Sequence, residues 1–229
     1  MKARFTMLSA ALVAAVALVP SAKASVILDA SYQGLTGQSV EVIYNGVSSN
    51  VQAGLMQFSL QSDTDLSVLP FELNGMSVDT FCVEFTQSVK SGWQSYHLLE
   101  ASQVFSANQT QAIERLYTAY HQEVDNSNSK AAFQLALWEI VHEETEVWNI
   151  TQGSFRARPN RDIGGLANQW LFSLDSIESQ YNLYVMTNAD SQNQLVFSGV
   201  PIPSSTPVPV PATLGLFGLG ALLLLRRRK

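Results

Sequence analysis

The chain has 229 residues, 46% of them hydrophobic, and a formal net charge of −6. That is enough chain for a sizeable core. Of its 13 Lys and Arg, three precede residue 25 and four follow residue 225, which leaves six against all 19 Asp and Glu and a net charge near −13 between them. This acidic balance excludes a nucleic-acid partner, because binding phosphates needs a basic surface.

Residues 1–24 have the plan of a signal peptide: Lys2 and Arg4, an apolar run over 8–19, and Ala22-Lys23-Ala24 as a small-x-small cleavage site. The apolar core is too short for a membrane span, so export followed by cleavage is expected. Residues 25–199 read as one domain. The chain has a single cysteine, Cys82. In an exported chain it cannot form an internal disulfide. It is buried and inert, paired with another chain, or used chemically.

The first third of the domain has strand patterns. Residues 26–28 are a short apolar start, 39–44 alternate, and Asn45-Gly46 is a turn signal. Residues 54–61 alternate again, and 69–73 are a short extended stretch. Over 78–86, alternation puts Phe81, Val83 and Phe85 on one face and Thr80, Cys82 and Glu84 on the other, away from the most apolar side. A further strand is predicted at 93–99.

The period then becomes helical, with helices predicted at 108–120, 130–144 and 166–180. The second carries Phe133, Leu137, Ile140 and Val141 as its apolar stripe, with Gln134 and Trp138 sharing a face. Residues 153–165 read as irregular, and strands return at 182–187 and 194–198. Strands, helices, then strands predict an α+β domain: an antiparallel β-sandwich or barrel with about three helices inserted before the closing strands.

Residues 200–211 are a proline-rich linker, a semi-rigid spacer. Residues 212–225 are apolar and are followed by Arg226-Arg227-Arg228-Lys229. The tail from Val208, with Pro209-Val210-Pro211, an apolar helix and a basic end, resembles the PEP-CTERM sorting signal of Gram-negative bacteria. Val210 stands where that signal usually has Glu. The resemblance implies an exosortase as processing partner, with Pro209, Pro211, Arg226, Arg227 and Arg228 as signal residues. It also implies delivery to the cell surface or exopolysaccharide, with the 212–229 helix held in the membrane.

Within the domain, the segment Phe81-Cys82-Val83 and the later Phe133-Gln134-Leu135-Ala136-Leu137-Trp138 supply what an internal thioester requires: an unpaired thiol, a glutamine on a second rigid element, and bulky apolar cover. A glutamine inside an apolar helix also calls for partners. These motifs, with the intervening helix around residues 113–120, resemble the Cys-Gln thioester domains of bacterial surface adhesins. The resemblance implies Cys82 and Gln134 as the cross-linked pair, with Phe81, Phe133 and Trp138 packing the site. It also implies capture of an amine-bearing surface or matrix target, a single-use reaction and not a turnover enzyme. No cofactor or metal is expected. His142-Glu143-Glu144 lacks a second histidine at helical spacing. Two alternatives stand beside this reading: a matrix protein with the fold but no bond, and a cysteine hydrolase pairing Cys82 with His97, His121 or His142.

Overall fold

The computed structural model describes residues 26–62, 69, 76–143 and 147–198. The leader (1–24), most of the expected 69–73 strand, and the linker and tail from residue 200 lie outside them, as do Pro209, Pro211, Arg226, Arg227 and Arg228. The elements are β1 Val26–Tyr44, β2 Val47–Leu60, β3 Ser77–Cys82, β4 Trp93–Glu100, α1 Ala107–Tyr120, α2 Ser127–His142, β5 Phe155–Arg158, α3 Arg161–Ser173, β6 Leu183–Asn188 and β7 Ser191–Phe197. The architecture is the expected α+β one, with three helices inserted before two closing strands.

All strand pairs are antiparallel, in the order β2-β3-β7-β6-β4-β1-β5, and β1 also pairs with β2. That last pairing closes six strands into a barrel-like ring. It depends on the length of β1, which reaches β4 through Val26–Ser31, β5 through Glu41–Tyr44, and β2 over most of its course. The alternation predicts two short strands here, at 26–28 and 39–44; they are one strand of 19 residues. The intervening polar stretch contains a bulge at Gln33, where the register with β2 shifts between Tyr32 and Gly34. Further on, Gly37 faces Gly54 so closely that a Cβ on Gly37 would lie 1.9 Å from the Ala53 carbonyl oxygen. Asn45 (φ 50°) and Gly46 (φ 82°) make the tight hairpin turn into β2.

The helices begin at their caps. Asn126 accepts from the backbone N–H groups of Asn128 and Ser129, so α2 starts at Ser127 and not at 130. Asn160 accepts from Ile163 N–H, so α3 starts at Arg161 and not at 166, and by Ile177 the chain is already extended. Strand β5 occupies part of the region that reads as irregular. Helix α2 is buried on every side from Ala131 to Ile140, not along one stripe. It packs against β1, β2 and β5 and between α1 and α3. A helix enclosed all round is the centre of the core, and its polar residues must find partners inside.

Candidate functional site

Strand β3 ends at Cys82, short of the expected 86. Thr80, Phe81, Cys82 and Val83 are all buried. Alternation sets Cys82 away from the more apolar side of its strand, yet it is buried, because Phe133 and Gln134 of α2 reach Phe81 and Cys82 at the end of β3.

The structure brings Cys82 and Gln134 together. The Cys82 backbone N–H donates to Gln134 Oε1 at 3.0 Å. Gln134 Nε2 donates back to the Cys82 carbonyl at 2.8 Å. The Cys82 thiol lies 3.3 Å from the same Oε1. Pairing of β3 with β2 stops at Phe81↔Leu55, and Val83 N–H bonds to Asn193 O of β7 at 3.0 Å. The Gln134 side chain thus takes the ladder position that β2 vacates beside residue 82.

Phe81 and Phe133, the residues just before the pair, pack against each other with ring centroids 4.4 Å apart. Trp138 is buried one turn along α2, with Phe85 at 5.3 Å and Phe155 at 6.5 Å between centroids. The Trp138 indole N–H has no partner at normal hydrogen-bond geometry. Its position near Cys82 nevertheless favours the thiolate. That effect is small beside burial and the Glu84 carboxylate, which push the thiol well above its ordinary range. Cys82 is a protonated thiol at neutral pH, and its hydrogen points at a carboxamide oxygen.

No histidine hydrogen-bonds Cys82 among the described residues. His97 is exposed on β4. His121 is bound to Tyr117 O and stacked on the Tyr117 ring. His142 lies among Tyr44, Phe85 and Phe155, and burial pushes it down to about 4. No group of three His, Cys, Asp or Glu is placed to hold a metal among the described residues; Glu144 is outside them.

Several neighbours of the site carry no motif. A cavity of about 480 Å³ is lined by Tyr32, Met56, Phe85, Trp138 and Gln192 among others. Neither Cys82 nor Gln134 lines it; Trp138 belongs to both places. The Tyr32 phenol is held above its usual range by burial and then by the nearby Cys82. Below the strand, Thr80 Oγ1 donates to Gln194 Oε1 at 2.9 Å and Gln194 Nε2 donates to Gln192 O at 3.1 Å. Two carboxylates at the end of α2 hold the loop before β5. Glu139 Oε1 accepts from Asn149 N–H at 2.7 Å, and Glu143 Oε2 accepts from Ser154 N–H at 2.7 Å and Phe155 N–H at 3.3 Å. Burial pushes Glu139 up to about 7, with Glu143 adding to the shift. Two Glu four residues apart in an apolar helix were a readable signal; Tyr32 offered none.

Residues 207–229 match the PEP-CTERM protein-sorting motif. The chain therefore carries the signal of an exported, surface-sorted protein, which implies exosortase processing. No curated protein and no solved structure matches the chain. Among the described residues no helix is long and apolar enough to cross a membrane; the 212–229 segment is not among them.

Proposed function

We propose that the exported domain is an adhesin-like binder that captures amines through an internal thioester between Cys82 and Gln134. The supporting observation is the double hydrogen bond between the Gln134 carboxamide and the Cys82 peptide, which holds the thiol 3.3 Å from Oε1. An N–H aimed at the oxygen stabilises charge developing there during attack. The sulfur adds to the carboxamide carbon as the thiol proton passes to Oε1. Collapse of the adduct breaks the C–N bond, and that proton leaves on ammonia. A C–S bond has formed and one ammonia is lost. The buried setting excludes the water that would hydrolyse the product.

Capture reverses the exchange. A primary amine on a surface or matrix target attacks the thioester carbon, the C–S bond breaks, and the amine proton ends on the Cys82 sulfur. A thiol is a far better leaving group than an amine. The product is a permanent amide, so each molecule acts once. The cavity against Trp138 and Phe85 is the approach that fits this reading. The C-terminal tail would hold the domain at the membrane until processing.

Intact-mass measurement tests the bond. The wild type should weigh one ammonia less than its sequence, and Cys82→Ala and Gln134→Ala should each restore full mass. Full mass in fresh wild type, with one thiol titrating once the protein is unfolded, would end the proposal.

A second reading has support of its own. The clamp satisfies the buried amide of Gln134 and the open ladder position of Cys82 without any chemistry. A surface-sorted structural protein with the fold and no bond would look the same in this respect, and the mass measurement separates the two.

A further inference from the structure

Six Lys and Arg lie between residues 25 and 211, and three of them, Arg156, Arg158 and Arg161, line one concavity of about 590 Å³. In a domain with 19 acidic side chains this is a local reversal of charge. We propose that this concavity binds an acidic saccharide, with the arginines taking a carboxylate carried on a sugar ring.

The strand builds the cation pair. Phe155 and Ala157 of β5 are buried, so Arg156 and Arg158, two apart, project together from the opposite face. Arg156 Nε is shielded from solvent and has no hydrogen-bond partner. Arg158 spends one N–H on Glu41 across the strand pair at 3.4 Å, and the rest of its planar fork stays available. A guanidinium fork matches a carboxylate in two parallel hydrogen bonds. One first-turn N–H of α3 is already taken, since Asn160 Oδ1 accepts from Ile163 N–H at 3.0 Å. Of the nearby carboxylates, Glu41 of β1 pairs with Arg158, and Asp162 lies in the first turn of α3.

The remaining lining suits a sugar. Asn168 Oδ1 is committed to Ile150 N–H at 3.0 Å, which turns its amide nitrogen into a donor for a hydroxyl. Pro159, whose ring lies against Gly164, adds apolar lining for the C–H face of a ring. The volume falls in the range of small-ligand sites and accommodates one or two sugar units. An anionic membrane is the poorer occupant. It would meet a broad face of a domain whose net charge is near −13, whereas a single pendant carboxylate meets only the arginines.

This site is separate from Cys82 and Gln134 and stands or falls without the thioester. The test is calorimetric titration of the exported protein with trigalacturonate, maltotriose, which lacks the carboxylates, and inorganic phosphate. Trigalacturonate should bind at least about tenfold more tightly than either comparison ligand and weaken as salt rises. The double variant Arg156→Gln/Arg158→Gln should lose about tenfold or more, and Arg161→Gln, at the exposed start of α3, should weaken binding without disturbing the fold. Glu41→Gln should bind at least as well as wild type. Equal binding of maltotriose, equal binding of phosphate, or undiminished binding by both arginine variants with unaltered thermal unfolding would overturn the proposal.

Discussion

The side chain of Gln134 is hydrogen-bonded to both backbone groups of Cys82, so the glutamine grips the peptide and the thiol sits beside the grip. The two residues therefore differ in what their removal does. Cys82→Ala leaves the grip intact and deletes only a small buried group. Gln134→Ala strands a buried N–H and C=O and opens a cavity, which should cost about 3 kcal/mol or more. Without a bond, Cys82→Ala should cost about 1 kcal/mol. With a bond it also removes a cross-link spanning 52 residues, for which loop-closure entropy gives about 4 kcal/mol. Urea unfolding of the two variants separates these cases: a small loss for Cys82→Ala beside a large one for Gln134→Ala means the pair is held without a covalent link.

Trp138 joins the buried pair to the outer cavity, and two substitutions separate its roles. Trp138→Ala should destabilise by about 3–5 kcal/mol through lost packing. Trp138→Phe keeps most of the volume and removes the indole N–H near the thiol. If the cavity is the approach, Phe85→Leu should speed uptake of a bulky amine such as benzylamine more than that of methylamine, read by mass. Equal changes for both amines would place the approach elsewhere.

The sequence carried the pair and the fold class but not the setting. Cys82, Gln134 and Trp138 were legible because a lone thiol and an amide inside an apolar helix are conspicuous against their neighbours. The burial of Cys82 was not, because strand alternation reports one sheet and not the helix side chains, Phe133 and Gln134, that meet the end of the strand. Strand β1 was hidden by its polar, glycine-containing middle, whose role is to bend and approach β2 closely. The α2 stripe failed for a related reason: Ala131, Ala132 and Ala136 read as neutral, yet small residues let α2 be enclosed on all sides.

Glu139 and His142 shift in opposite senses. Burial raises Glu139 to about 7, so the folded state holds its proton more tightly than the unfolded chain. Its contribution to stability is therefore lost as pH rises from about 4.5 to 7. Burial lowers His142 to about 4, so its contribution is present above about 6.5 and is lost as pH falls towards 4. Between these limits the slopes oppose and the wild type should be nearly flat. Glu139→Gln, which keeps an acceptor for Asn149 N–H, should leave stability rising with pH across that window. His142→Phe should leave it falling. Each slope should amount to about 1–3 kcal/mol in urea unfolding, and a flat profile in both variants would show that neither group is perturbed.

Gly153 is the point where the carboxylate grip on the loop before β5 admits no substitution. Its φ is +88°, and an added Cβ would fall 1.9 Å from Glu143 Oε2. That oxygen accepts from Ser154 and Phe155 N–H, so Gly153→Ala meets backbone strain and expels the acceptor at once. A loss of about 2–4 kcal/mol is expected. Glu143→Gln keeps an acceptor oxygen and should lose less, about 1 kcal/mol. The double variant tests whether one cause underlies both: if the clash with Glu143 is the main cost, Gly153→Ala should be milder in Glu143→Ala than in wild type. Simple additivity of the two losses in chemical unfolding would assign the cost to φ alone.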